Sequence, residues 1–411
     1  MSEQPPRIVI VGAGHAGGTA AALLRQYGHA GEIVLIGSEP VAPYQRPPLS
    51  KAFLKGETDE ESLKLKPDAF YVEHGIDLRL GTRVEAIDRA AKNVALGGGG
   101  ELAYDVLILA TGSTNRTLAF PSARPGDLME LRNLADAERL KALLGPGKRL
   151  AIVGGGYIGL EAAASARALG AEATILELAP RVLSRVACET LSDFFEAYHR
   201  ARGVTILTGA KTADVEHGAD GAVSGLRLAD GAVVACDTVL VGVGAQACSG
   251  LAEAAGLPCE NGVVVDEQAR TADPAIYAIG DVTWRPMPLY GGRRHRLESV
   301  PNALEQAKQA ASAIVGRAAP APEVPWFWSD QYDLKLQIAG VPFDAEDLIV
   351  RGAVEAAKFA IFHMAGERIL AVEAVNAPAE FMAGRLLIGR KAMVDRARLA
   401  DPAVSMKEVA A

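Results

Sequence analysis

Sulfur is scarce in this chain. Among 411 residues there are four cysteines, Cys188, Cys236, Cys248 and Cys259, and none belongs to a CxxC pair or a metal-ligand cluster. That spacing excludes a disulfide framework of the secreted kind and fits a reducing compartment. We therefore expect four inert thiols and no bound metal. Long apolar runs are missing too: no stretch approaches the roughly 18 residues that a membrane helix requires. The opening MSEQPPR lacks the basic and apolar regions of an export signal. A soluble, cytoplasmic protein is the expectation. A surplus of basic charge is also absent. The formal net charge of −8 argues against nucleic acid, whose phosphates would favour a basic surface. With 49% hydrophobic and 22% charged residues, disorder is excluded, and two or three domains with ample core are expected.

What is present is one design used twice. RIVIVGAGHAG from Arg7 and RLAIVGGGYIG from Arg149 repeat the same glycine pattern 142 positions apart, at Gly12 and Gly154. Each is an apolar strand (Ile8 to Val11; Leu150 to Val153) running into GxGxxG and then an Ala/Leu-rich helical stretch, the context this fingerprint requires. The first glycine (Gly12, Gly154) makes the tight turn, and the second (Gly14, Gly156) lets the backbone approach a pyrophosphate. The third (Gly17, Gly159) lets the helix pack closely on the strand. The helix start then offers N–H groups and a positive dipole end to the phosphates. A lone GxGxxG is weak evidence; two, each between strand and helix, predict two dinucleotides, a flavin and a nicotinamide. Glu177, 23 positions after Gly154 and directly after the strand TIL, is placed to bind adenosine ribose hydroxyls, which favours NADH and repels a 2′-phosphate. Arg181 and Arg185 follow closely and leave NADPH open.

The second repeat is nested inside the first domain. After the first βαβ comes a β-rich stretch with a turn at Gly97 to Gly100, then the buried strand of YDVLILATGS. After the second, the pattern recurs as a hairpin around Asp230-Gly231 and the strand of CDTVLVGVGA. The chain then returns to the first domain through IYAIGDV, a Pro- and Arg-rich loop and the helical PNALEQAKQAASAIVG. A linker, AAPAPEVP, precedes a C-terminal region opened by WFWSDQ. Its alternating segments (Leu334 to Ile338, Leu348 to Val350, Phe359 to Phe362, Leu370 to Val375) predict an antiparallel sheet with a closing helix. The fold class is thus α/β, two Rossmann-like domains plus a C-terminal α+β domain. Boundaries are set at 1–112 with 246–321, at 113–245, and at 322–411.

GAGHAG, PYQRPPLSK, LILATGS, IVGGGYIGLE, AIGDV, ESVPNALEQA and PWFWSDQ, in that order and spacing, resemble the putidaredoxin-reductase-like NADH:ferredoxin reductases of bacterial oxygenase systems. Rubredoxin reductases and the apoptosis-inducing factors are similar in kind. The resemblance implies the glutathione-reductase fold, one FAD, NADH as donor and a transient, acidic 2Fe-2S ferredoxin as acceptor, feeding a haem monooxygenase or Rieske dioxygenase. A monomer or weak dimer is expected. A flavin takes two electrons together and can release them singly, whereas many other two-dinucleotide flavoproteins relay them through a disulfide or a reactive thiol soon after the first Rossmann unit. Here that segment, PYQRPPLSK, has none.

By the same resemblance, FAD contacts fall at Gly12, Gly14, Ala16, Gly17, Ser38, Arg46, Lys51, Val84, Ala110, Thr111, Gly112, Arg132, Gly280, Asp281 and Val300. Asp281 matches the ribityl-binding aspartate. Val300 precedes Pro301, and the positive end of the helix opening there would face the flavin's pyrimidine edge. Relatives often carry the ribose-binding acid where this chain has Ser38. Glu39 is the nearest carboxylate, and a solvated loop glutamate is its competing reading. NAD contacts fall at Gly154, Gly156, Tyr157, Ile158, Gly159, Glu161, Glu177 and Gly244. Lys51 and Glu161 correspond to a pair beside the reacting rings, and Trp328 to an aromatic on the exit side; plain surface charge and plain packing are the alternatives. The loop WRPMPLYGGRRHRLES, with Arg285, Arg293, Arg294 and Arg296, is read as either a docking surface for an acidic ferredoxin or a solvated charged loop.

Overall fold

The computed structural model describes residues 5–410. It separates into two compact units. One comprises residues through Gln45, Glu61–Thr114 and Gln246–Phe327, the other Arg46–Glu60, Asn115–Ala245 and residues from Trp328 onward. The α/β fold expected from the repeats is the one found, although these units cut the chain differently from the sequence boundaries. The PPLSK segment groups with the second Rossmann sheet, and so does the C-terminal region.

In the first unit, five parallel strands are ordered Ile276–Ala278, Val106–Leu109, Ile8–Val11, Ile33–Ile36, Ile76–Arg79. Apart from the half-buried Val106, the central three are buried on both faces, as a sheet covered on both sides requires. One cover is the helix pair His15–Gln26 and Val300–Ile314, whose seam is built of Ala16, Ala20 and Ala21 with Ala303, Ala307, Ala310 and Ala311. Small side chains let the two backbones come close. The other cover includes the three-stranded meander Val84–Asp88, Asn93–Leu96, Glu101–Ala103, which turns at Gly98 to Gly100.

The second unit repeats the plan. Its parallel strands are ordered Val204–Thr208, Glu172–Glu177, Arg149–Val153, Thr238–Val241, Leu128–Met129. The expected hairpin is present as Val223–Leu228 with Val233–Ala235, with Gly231 in the left-handed region at φ +91°. The C-terminal sheet is ordered Trp326–Gln331, Leu334–Gly340, Arg368–Val375, Lys358–Ala365, Asp347–Ala353. Three of its pairings are antiparallel, Leu334–Gly340 with Arg368–Val375 and the two that follow it in that order. The helix Pro378–Arg390 closes one face, with Gly384 against Val372 and Phe362. Sequence alternation marked four of these strands; Trp326–Gln331 is an addition. No helix among the described residues is long and apolar enough to cross a membrane.

The arginine loop departs from expectation. Arg285 is 4% exposed. Its Nη1 lies 2.6 Å from Glu305 Oε2 and donates to Asn302 Oδ1 at 2.9 Å. Glu305 Oε1 also accepts from the Glu323 backbone N–H and from Gln309. Arg294 spends its guanidinium on the carbonyls of Val265 and Trp284, and Arg296 pairs with Glu298. Of the four arginines only Arg293 is exposed, so the loop is not a four-charge docking patch. A buried pair is weakly stabilising as a whole but costly to break, because removal of one partner strands the other charge. Glu305→Leu should cost about 3–5 kcal/mol in denaturation, and the double change Arg285→Met/Glu305→Leu should recover most of it. A single variant as stable as the parent would show that Arg285 reaches water.

Candidate functional site

Both glycine turns are built as their spacing predicts. Gly12 and Gly154 adopt φ +115° and +113°, where a β-carbon would fall 2.2 Å from Ala110 O and 2.4 Å from Gly242 O. At the third glycines a β-carbon would stand 1.9 Å from Gly12 O and 2.2 Å from Gly154 O. Only a residue with no side chain fits at these four places. The middle glycines differ: a β-carbon on Gly14 or Gly156 would meet nothing within 4 Å. Each is also the N-cap of its helix, with no side-chain cap and no acidic residue in the first turn. By contrast, the helices Leu134–Leu143 and Val300–Ile314 are capped by Asn133 and Ser299. Open space in front of an uncapped helix start suits a pyrophosphate, so the residues present fit a dinucleotide at each turn.

Around the first turn, Gly280 (φ +80°) sits where a β-carbon would come 3.1 Å from Ala16 Cβ. Next to it, Asp281 Oδ2 accepts from Ser113 Oγ at 3.1 Å. Ala110, Thr111 and Gly112 follow the strand Val106–Leu109; Thr111 Oγ1 donates to Cys248 O at 2.9 Å, and Gly112 O accepts from Cys248 N. Glu39 lies three residues past Ile33–Ile36, and its Oε2 accepts from Tyr44 Oη at 2.6 Å; Ser38 is exposed. Val84 is buried in the core, so only its backbone could meet a ligand. Val300 opens its helix with Pro301, as expected. Arg46, Lys51 and Arg132 belong instead to the second unit, where Arg46 Nη1 donates to Arg132 O at 2.6 Å.

At the second turn, Glu177 ends its strand with both oxygens held by backbone. Oε2 accepts from Gly155 N at 2.6 Å and Oε1 from Ala179 N at 2.8 Å. Arg181, kept open as a phosphate ligand, has its guanidinium turned inward on the carbonyls of Ser184, Ala187 and Cys188 and on Ser192 Oγ. Arg185 is exposed near Gly244. Tyr157 donates to Val186 O at 3.3 Å, and burial pushes its phenol well above the usual range. Ile158, next along the helix, is 47% exposed.

Lys51 and Glu161 do meet. Lys51 Nζ lies 2.7 Å from Glu161 Oε2, with side chains 16% and 3% exposed. Lys51 also donates to Pro47 O at 3.0 Å, and Ser50 Oγ to Glu161 Oε2 at 2.5 Å. The other carboxylate oxygen carries a chain that sequence reasoning missed. Ser329 Oγ donates to Glu161 Oε1 at 2.6 Å, Gln331 Nε2 to Ser329 Oγ at 3.1 Å, and His199 Nε2 to Gln331 Oε1 at 2.8 Å. Tyr332 Oη stands 3.4 Å from His199 Nδ1. Because the Gln331 amide oxygen can only accept, His199 carries its proton on Nε2, and every dipole in the chain points towards Glu161. Such a chain is self-reinforcing and holds the carboxylate in one orientation. Trp328 is half-buried and precedes Ser329, so strand alternation turns it to the opposite face.

Comparison with known proteins gives a consistent result. The pyridine nucleotide-disulphide oxidoreductase family profile matches residues 6–307, and the reductase C-terminal profile residues 326–410. The probable ferredoxin reductase CtmF of Castellaniella defragrans is 55% identical over 98% of each chain. Putidaredoxin reductase CamA of Pseudomonas putida is 41% identical over 98% of this chain and 96% of its own. The crystal structure of the covalent putidaredoxin reductase–putidaredoxin complex contains a chain that superposes with a TM-score of 0.96 at 40% identity, covering 99% of this chain and 98% of that one.

Two outcomes are expected. Gly156→Val should fold and retain its flavin, yet weaken NADH binding at least tenfold in a titration, since its side chain would occupy the phosphate space rather than a packed one; unchanged affinity would displace the nicotinamide nucleotide from this turn. Burial holds the His199 imidazole down to about 4, against about 6.5 when unfolded. The unfolded chain then binds the extra proton between those values, so stability falls as pH drops through that window, by up to about 3 kcal/mol. His199→Gln should flatten that part of a plot of melting midpoint against pH, and a slope parallel to wild type would remove His199 as its source.

Proposed function

The chain belongs to the pyridine nucleotide-disulphide oxidoreductase family, in its putidaredoxin-reductase-like ferredoxin reductase branch, and on that premise we propose that it draws electrons in pairs from NADH and hands them singly to a 2Fe-2S ferredoxin feeding a haem monooxygenase or Rieske dioxygenase. The observation that carries this reading is the pair of uncapped glycine cradles in a chain whose PYQRPPLSK segment holds no sulfur. We place the FAD-binding domain at 1–112 and 246–321, the NAD-binding domain at 113–245 and the C-terminal domain at 322–411. The setting is cytoplasmic, and the chain a monomer or weak dimer.

Bound FAD supplies the conversion of a two-electron donor into one-electron steps. The protein's share is placement. Gly12, Gly14, Ala16 and Gly17 hold the FAD pyrophosphate; Glu39, nearer than Ser38 in chemistry, takes the adenosine ribose, and Asp281 with Gly280 the ribityl chain. Val84, Ala110, Thr111, Gly112 and Val300 line the same nucleotide, with Arg46 and Arg132 beside it. Gly154, Gly156, Tyr157, Ile158, Gly159 and Gly244 hold NADH, and Glu177 selects it over NADPH because its fixed carboxylate repels a 2′-phosphate. Transfer from the nicotinamide needs no acid, base or nucleophile; it needs near-attack geometry, which lies within reach of a rigid pair such as Lys51–Glu161. Trp328 covers the exit side. Arg293 is the exposed arginine of that loop, so docking of an acidic ferredoxin there rests on steering by few charges.

Stopped-flow mixing tests this directly. NADH should bleach the bound flavin within the turnover time, and a 2Fe-2S ferredoxin should restore its colour in one-electron steps. Slow bleaching into a long-lived coloured complex would point instead to a nucleotide-regulated interaction protein, and restoration by rubredoxin alone to a rubredoxin reductase. Glu161→Gln should slow bleaching about tenfold or more with flavin content unchanged, as loss of a positioning contact predicts; a rate equal to wild type would make the pair merely structural.

A further inference from the structure

Cys188 lies 175 positions before His363 and 185 before Glu373, and the three take no part in the machinery described above, yet their ligand atoms all lie within 4.8 Å of one another. Cys188 caps the helix Glu189–Arg200. His363 and Glu373 come from neighbouring antiparallel strands, where the partners in register are His363 with Ala371 and Ile361 with Glu373. The two side chains are therefore diagonal neighbours on one face of the sheet. That face is the one turned to the helix Glu189–Arg200, since Phe359, two pairs along the same strand, packs edge-on against Phe194. The opposite face is taken by Val372 and Phe362 against Gly384.

The contacts within the cluster leave one polar atom unanswered. The Cys188 backbone N–H donates to Glu373 Oε1 at 3.2 Å and its thiol to Oε2 at 2.9 Å. His363 is 6% exposed, its Nε2 stands 3.5 Å from Glu373 Oε2, and that nitrogen is buried without a hydrogen-bond partner. A buried ring nitrogen with no hydrogen-bond partner, 3.5 Å from a carboxylate oxygen, would be satisfied together with that carboxylate by a cation held between them. The donors are one sulfur, one imidazole nitrogen and one carboxylate oxygen, the set that suits a borderline divalent ion with a tetrahedral preference and one position left for water. Hard cations such as magnesium want oxygen alone.

We propose that Cys188 Sγ, His363 Nε2 and Glu373 Oε form a binding site for a divalent cation of the zinc class. On binding, the thiol proton leaves to solvent and the sulfur becomes a thiolate ligand; no electron moves. The ion would fasten the stretch Leu178–Cys188, which carries Arg181 and the Val186 carbonyl that accepts from Tyr157, to the C-terminal sheet. Burial and the Glu373 carboxylate push the thiol up to about 12 without a cation, so Cys188 is a poor nucleophile, and an ion has to displace its proton to take the sulfur as a ligand. The site stands apart from the electron-transfer reading and would hold whether or not that reading does.

The test uses the purified full-length flavin-loaded protein, stripped with a chelator and dialysed against micromolar zinc. Metal counted against protein should give about one zinc per chain for wild type and none above background for Cys188→Ser/His363→Gln. Equal uptake by the two, whether nil or not, overturns the site, and nil uptake would leave an imidazolium–carboxylate pair in its place. Should the double variant fail to fold, X-ray absorption of zinc-loaded wild type decides the matter. One sulfur at about 2.3 Å with nitrogen and oxygen neighbours is expected, and a zinc environment without sulfur overturns the proposal.

Discussion

In each Rossmann unit a carbonyl oxygen of the glycine turn occupies the place where a β-carbon on the third glycine would have to go. Gly17 packs its α-carbon against Gly12 O and Gly159 against Gly154 O, so in each Rossmann unit the helix lies on its own entering turn with no side chain between. That closeness decides what happens at the helix start. A capping side chain at Gly14 or Gly156 would satisfy the orphan N–H groups internally; glycine leaves them pointing outward with room before them. The sheet's apolar strands, buried on both faces, hold the turn in place, and the turn then presents backbone donors that cost no reorganisation when an anion arrives.

The second constraint is electrostatic. A carboxylate as buried as Glu161 is tolerated only when its lone pairs are filled. Lys51 and Ser50 fill one oxygen, Ser329 the other. The latter donor is itself polarised by Gln331 and, behind it, by His199, whose burial keeps it neutral and therefore able to act as a one-way link. The result is an ion pair with little freedom, anchored through hydrogen bonds from one strand and the helix behind it. For a reaction in which the protein contributes geometry and a fixed field, such rigidity is more useful than a titratable group.

The parts of this arrangement that sequence reveals are the ones governed by local rules. Strand, glycine turn and helix obey spacing, and both copies stand where spacing put them; the C-terminal sheet followed from alternation. Long-range pairing obeys no local rule. Ser329 and Gln331 are polar residues two apart in WFWSDQ, an inward face at strand period, and that was the one signal that could have suggested a buried polar chain. His199 on an apolar helix face gave none. Arg285 was misread because a cluster of arginines in an acidic chain looks solvated, while its partner Glu305 is a helix away. The separation of Cys188 from His363 and Glu373 hides their cluster for the same reason.

The two copies of the cradle also differ in the acid that follows the second strand. Both copies end their second strand region with an acid, but the acids are held by unlike means. Glu177 has each oxygen fixed by a backbone N–H, one of them from the glycine turn itself, so its charge cannot swing aside. Glu39 accepts from the phenolic hydroxyl of Tyr44. A nucleotide that exchanges at every turnover has to be selected each time, and a charge immobilised by backbone discriminates against a 2′-phosphate without any conformational step. A resident nucleotide is selected once, when the chain is loaded, and its acid needs only to accept two hydroxyls. Under the proposed function, the backbone hold on Glu177 is what suits the second turn to the exchanging nucleotide.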